Sequence, residues 1–262
     1  MSEDNKYAVP GLERGLRILM EFSKQEPVLN GAELSRRLDV PRSTVFRLLQ
    51  TLESLGFIER AASGDRNYRL GVSVLRLGFE YLNSLELTDL GNPIIERLRD
   101  ATGYSSHIII LDRQDAVFVA KAASRDPVFS AVSIGTRLPA HATVIGQVLL
   151  GDCDLAALHK LYPQGPLKRY TDHTPETIEA LFARVQEYAA RGYATSQSFF
   201  EYGISTVVAP VRDHRNKIVA AISVTVPRPQ LEDRAQDNDL VSQVVAAANE
   251  LSYKLNYRQA PA

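Results

Sequence analysis

Arg42, Ser43, Thr44, Arg47 and Gln50 open the segment "RSTVFRLLQTLESLGF", and their side chains suit a negatively charged partner. Stepping 100° per residue from Val45 puts Val45, Leu48, Leu49, Leu52 and Leu55 in one apolar band. Ser43, Arg47, Gln50 and Ser54 fall opposite, with Arg42 and Thr44 flanking the first turn. No carboxylate occurs before Glu53. A helix chosen for stability alone prefers acids in its first turn, where the macrodipole is positive. A cationic first turn therefore points to an anionic partner, and DNA fits best. Arginine reads guanine, glutamine reads adenine, and serine or threonine hydroxyls hold phosphate oxygens. Arg47 and Gln50 are accordingly assigned to bases and Ser43 and Thr44 to the backbone, with Arg42 open between the two. Phe46 lies between band and outward face, where it either packs on the first helix or touches a thymine methyl. Packing is the expectation.

The elements that must present this face are helical. "LERGLRILMEFS" carries Leu12, Leu16, Leu19 and Met20 at helical spacing. "NGAELSRRLDV" makes a short helix with Asn30 as N-cap, and Arg36 and Arg37 add positive charge near the recognition end. Pro41 suits the first turn of the next helix and Gly56 ends it. "FIER" and "YRLG" then form two short strands around a polar tip, a wing with Arg66 near its tip and Arg69 on the return strand. The order helix–turn–helix–wing is that of a DNA-binding domain. "VSVLRLGFEYLNSL" follows as an amphipathic linker helix.

From Thr88 the pattern changes. Asn92 and Pro93 are expected to start a helix, followed by strand-like runs "SSHIIILD", "AVFVAKAA" and "VFSAVSIG". "HATVIGQVLLG" is a short helix, and "TPETIEALFARVQEYAARG" a longer one started by Thr174 and stopped by Gly192. "ISTVVAPVRD" and "IVAAISVTVP" pair as a hairpin before a closing helix from about Asp237 to Asn256. The fold class expected is α+β: a winged helix-turn-helix over residues 1–70, a linker helix over 71–87, and an effector domain over 88–262 with a mainly antiparallel sheet.

Composition narrows the function classes. The 262 residues are 45% hydrophobic and 23% charged, hence globular, and the net charge of -1 requires any nucleic-acid contact to come from a local patch. Cys153 has no cysteine partner, and no apolar leader or membrane-length run is present, so a cytoplasmic protein is expected. His107, His141, His159, His173 and His214 include no metal-type pair. No Walker, dinucleotide or G-x-S-x-G motif occurs. Neither an enzyme nor a metal or cofactor is expected.

Together, "LERGLRIL", "AELSRRLDVPRSTVFRLLQTLESLGFIER", "YRLGVSVLRLG", "GTRLPAHATVIGQVLL", "RGYATSQSFFEYGISTVVAPVRD" and "VAAISVTVP" resemble the IclR family of bacterial transcription regulators along nearly the whole chain. The resemblance implies a homodimer or tetramer on double-stranded operator DNA, and a GAF-like second domain that takes a small organic effector. "LGFEYLNSLEL", "GTRLPAHAT" and "EYGISTVVAPVRD" are similar to the branch that senses aromatic acids such as protocatechuate and p-hydroxybenzoate. An architectural or partner-regulated DNA-binding protein without an effector is the alternative.

The turn after Pro139 leads into a helix whose first N–H groups lack internal partners and suit a carboxylate. The resemblance puts Ala142, Thr143, Val144 and Ile145 there; Thr143 could instead cap its own helix. Ser223 and Thr225 share one strand face, opposite Ile222 and Val224. That face is a pocket wall or a solvated surface, and the resemblance favours the pocket. His107 and Phe129 are further candidates from neighbouring strands, while His141 braces its loop. Two departures from the family pattern stand out: Gln147 replaces a commonly basic residue, and Phe199 replaces an acid. A pocket-facing Phe199 or Phe200 would suit an aromatic or less polar effector, whereas the opposite orientation makes both core.

Overall fold

The computed structural model describes residues 8–62, 66–83, 86–124, 132–197, 203–227 and 235–258. The chain divides into two compact units, residues 1–84 and 85–262.

The first unit runs α1 (Pro10–Met20), β1 (Leu29–Asn30), α2 (Gly31–Leu38), α3 (Arg42–Ser54), β2 (Ile58–Arg60), β3 (Asn67–Leu70) and α4 (Ser73–Asn83). Asn30 caps α2, its Oδ1 accepting from the N–H groups of Ala32 and Glu33 at 3.1 and 3.0 Å. Asp39, at φ 52°, turns the chain out of α2 in the left-handed region. Ser35 Oγ secures that turn by donating to the Val40 carbonyl at 2.6 Å. Ile18, Leu34, Val45, Leu49, Ile58 and Tyr68 form the core with Leu48 and Leu52 packed against it, so the inward band of α3 follows its periodicity except at Leu55, which is exposed where the helix ends. Strand β3 pairs antiparallel with both β1 and β2. Gly71 follows β3 where a Cβ would lie 2.2 Å from the Gly56 carbonyl oxygen, so only glycine lets the wing close on the end of α3.

The second unit contains α5 (Glu86–Thr102), β4 (Ser105–Asp112), β5 (Asp115–Ala122), β6 (Arg137–Pro139), a 3-10 turn (Ala140–Ala142), α6 (Val144–Leu149), α7 (Leu155–Leu161), α8 (Ile178–Arg191), β7 (Ala194–Gln197), β8 (Ser205–Arg212), β9 (Ile218–Val226) and α9 (Ala235–Lys254). Its six strands form one antiparallel sheet in the order β6-β5-β4-β9-β8-β7. Successive residues of β4 serve opposite faces. Ser106 donates to the Ile95 carbonyl of α5 at 2.5 Å, and Ile108 reaches toward Gly91 of α5. Ile109 instead packs with Val144, Ile145, Val148 and Leu149 of α6. Helices α5 and α9 therefore cover one face and α6 the other.

Several boundaries differ from expectation. Helix α5 starts at Glu86 and carries Pro93 inside it, because its buried stripe of Leu87, Gly91, Ile94, Ile95 and Leu98 runs through the proline. The longer helix is capped by Thr177, which accepts from the Ala180 N–H, while Thr174 accepts from two backbone N–H groups in the preceding turn. Of the strand expected over "VFSAVSIG", residues 128–131 lie outside the described residues, while 132–135 form a turn instead, and β6 forms later, at Arg137. Helix α7 was not expected. Among the described residues no helix is long and apolar enough to cross a membrane.

Candidate nucleic-acid interface and ligand site

Helix α3 begins without a side-chain cap and without an acid in its first turn. Arg42, Ser43, Arg47 and Gln50 are exposed, and Thr44 is half-buried. Among the described residues, the salt bridges of this unit engage Arg17, Arg36, Arg37, Arg60 and Arg69 and leave Arg42 and Arg47 outside them. Gln50 Nε2 donates to Glu53 at 3.3 Å, a contact an exposed amide can exchange. Arg36 stays largely in solvent, 3.5 Å from Glu33. Arg37 does not add free positive charge: Glu26 and Glu33 hold its guanidinium at 2.7 and 2.6 Å. Arg69 is likewise held by Glu59 at 2.7 Å, and Arg60 by Glu53 at 2.9 Å. Arg66 is exposed at the wing.

A groove of about 970 Å³ runs between the start of α3 and the wing, lined in part by Arg42, Ser43, Phe46, Arg60, Arg66 and Tyr68. Phe46 corrects the expectation of packing, for 59% of it is exposed. Val45 and Leu49 fill the core and leave Phe46 on the groove wall.

In the second unit, β4 and β9 pair so that His107 faces Ser223 across the ladder, with Ile109 opposite Ala221 two residues on. Ile109 and Ala221 belong to the core under α6, so His107 and Ser223 lie on the same sheet face. His107 stacks edge-on against Phe118 of that core, ring centres 5.3 Å apart. Both residues are essentially inaccessible, yet among the described residues neither His107 Nδ1 nor Ser223 Oγ has a hydrogen-bond partner. Buried polar atoms without partners are uncommon, and each costs about 1–3 kcal/mol. Thr225, half-buried, pairs with Thr206 of β8 and Ser105 of β4. Ser223 thus lies on a covered face rather than a solvated one.

Lys121 stands opposite His107 on β5, where a register shift between Ile108 and Ile109 brings Phe118 and Lys121 to the same face. Its Nζ donates to the Val132 carbonyl. Burial, helped by the Lys121 charge, pushes the His107 imidazole down to about 3, so the ring is neutral. Lys121 and Thr206 were missed by the sequence reading. The signal for Lys121 was a lone charge inside the apolar run "AVFVAKAA".

The residues around α6 play a different part. Thr143 is the N-cap: its hydroxyl accepts from the Gly146 N–H and donates to the Pro139 carbonyl, each at 3.2 Å. Its hydrogen-bonding capacity is therefore largely used within its own loop. Val144 and Ile145 turn their side chains into the core against the sheet, and Ala142 is fully buried. His141 braces the loop through Nε2, 2.9 Å from the Lys168 carbonyl. Gln147 is fully buried; its Nε2 donates to the His141 carbonyl at 2.7 Å, and its Oε1 has no partner among the described residues. Phe129, Phe199 and Phe200 lie outside the described residues. Among the described residues no group of His, Cys, Asp and Glu could hold a metal ion.

Comparison with known proteins agrees with both halves. Residues 11–62 match the IclR helix-turn-helix domain, and residues 79–253 match the bacterial transcriptional regulator IclR C-terminal domain. The chain is 31% identical over 250 residues to the Pca regulon regulatory protein of Pseudomonas putida, covering 93% of this chain and 83% of that protein. It is also 31% identical over 255 residues to the transcriptional regulator XynR of Escherichia coli K12, covering 95% and 98%. Two solved structures share the fold. The IclR transcriptional regulator of Alicyclobacillus acidocaldarius superposes with a TM-score of 0.82 at 24% identity, covering 95% of this chain and all of that one. An IclR homologue from Microbacterium hydrocarbonoxydans, complexed with 4-hydroxybenzoate, gives 0.80 at 23%, covering 94% and 99%. These relatives are named regulators, not enzymes. The chain belongs to the IclR family of bacterial transcriptional regulators.

Proposed function

We propose that residues 1–70 bind double-stranded operator DNA, that 71–87 link the domains, and that 88–262 bind a small organic effector which switches that binding. On the DNA side, Arg47 and Gln50 read base edges, Ser43 and Thr44 hold phosphate, and Arg36, Arg42 and Arg66 add electrostatic attraction. The exposure of Arg42 and Arg47, without acidic partners among the described residues, supports this assignment.

The observation that carries the effector reading is a pair of buried atoms without partners among the described residues, His107 Nδ1 and Ser223 Oγ, opposite each other on the face covered by α6. A polar ligand would satisfy both, and Thr225 extends the same wall. Lys121 supplies a positive charge beside them, which favours a carboxylate, and the Phe118 ring favours an aromatic body. Phe129 and Phe199 are retained as candidate walls. The 4-hydroxybenzoate held by the Microbacterium protein points the same way. Ala142, Val144 and Ile145 contribute backbone and apolar shape, and Thr143 mainly holds the loop.

An effector shifts DNA affinity only by its different affinity for two arrangements of the protein. Two copies must be arranged for an operator with two half-sites. Leu12, Leu16 and Met20 form an exposed stripe at four-residue spacing on α1, which supports pairing of two copies.

A thermal-shift panel of small carboxylates, including 4-hydroxybenzoate and protocatechuate, tests the effector reading. At least one is expected to raise the melting temperature of the wild type and to lose that effect in Ser223→Ala. A panel without any shift contradicts effector control and leaves an architectural or partner-regulated role.

A further inference from the structure

The proposal concerns Phe46 and rests on the DNA-binding reading above. Phe46 has 59% of its surface in solvent, on a helix whose core positions are already filled by Val45 and Leu49. Its exposure forfeits much of the burial that a phenylalanine offers the fold. It lines the helix–wing groove beside Arg42 and Ser43, with Arg60 and Arg66 also on the lining. An apolar ring amid cations and hydroxyls suits a surface that is anionic overall and locally apolar. In the major groove of DNA the apolar feature is the thymine C5-methyl group. Arginine and glutamine cannot recognise that group by hydrogen bonding, so an aromatic contact adds information that Arg47 and Gln50 do not carry.

We infer that Phe46 is a specificity-determining residue that reads thymine through its methyl group. Because the ring is exposed and outside the core cluster, its replacement leaves the fold intact. The contact buries about one methyl group, so its loss is expected to cost about fourfold in affinity.

The test uses the full-length protein and a random-sequence duplex library. Selection gives a preferred duplex, and each thymine is then replaced in turn by deoxyuridine, which removes only the methyl. Wild type is expected to lose about fourfold at one thymine per half-site, and Phe46→Ala to bind thymine and uracil there alike. Arg47→Ala should bind more weakly throughout yet keep the thymine preference. A Phe46→Ala protein with the same uracil profile as wild type overturns the proposal while leaving DNA reading in place. A selection that enriches no sequence overturns the DNA reading itself, and this proposal with it.

Discussion

Arg47 and His107 use charge in opposite ways. Arg47 keeps its charge in solvent and available to a partner. Replacing it by alanine should weaken binding to the preferred duplex roughly ten- to a hundredfold, as loss of a good base contact does, and leave the oligomeric state unchanged. Fluorescence anisotropy and sedimentation measure the two; unchanged affinity would remove α3 from the recognition role. His107 is kept neutral by burial and by Lys121. Its unfolded-state value is about 6.5, and the folded value is about 3. Between these values the unfolded chain binds the extra proton. Stability from this group is therefore full above about pH 6.5 and falls as pH drops toward 3, by up to about 1.4 kcal/mol per pH unit. Urea midpoints at pH 7 and pH 5 should differ less in His107→Gln than in wild type. Equal differences would mean that other groups set the acid sensitivity.

Among the elements, α6 lies close against the turn that precedes it. Gly146 sits where a Cβ would lie 2.2 Å from the Ala140 Cα and 2.4 Å from its carbonyl oxygen. Backbone atoms cannot move aside as side chains do, so Gly146→Ala should cost about 1–3 kcal/mol and lower the melting temperature by several degrees. An unchanged melting curve would show that α6 shifts freely. Much of the element pattern was legible in advance. The α3 band up to Leu52, the Asn30 cap and the stop at Gly192 each follow from a local rule, namely periodicity, side-chain capping and a left-handed residue. What escaped depended on tertiary partners. Pro93 has the character of a helix start, but the packing of α5 against β4 carries the helix back to Glu86. Phe118 and Lys121 share the His107 face only through a register shift, which breaks simple alternation. Phe46, between the band and the outward face, was expected to pack on the first helix; the core at that turn is filled by Val45 and Leu49. The pairing of His107 with Ser223 links residues more than a hundred positions apart, and no local pattern encodes it.

For the molecule as a whole, the net charge of -1 makes DNA binding a matter of one surface rather than of the entire chain. In the reading proposed above, α3 and the wing of the first unit supply that surface, and the second unit holds the buried polar pair under α6. Family membership places both in a transcriptional regulator. The central claim is that a small molecule at the second unit changes the DNA affinity of the first. The most direct measurement is the dissociation constant for the selected duplex, with and without a saturating carboxylate from the thermal-shift panel. The account predicts a change of roughly 5- to 150-fold, the usual range of coupling between sites, that disappears in Ser223→Ala. A carboxylate that stabilises the protein yet leaves duplex affinity unchanged would contradict it.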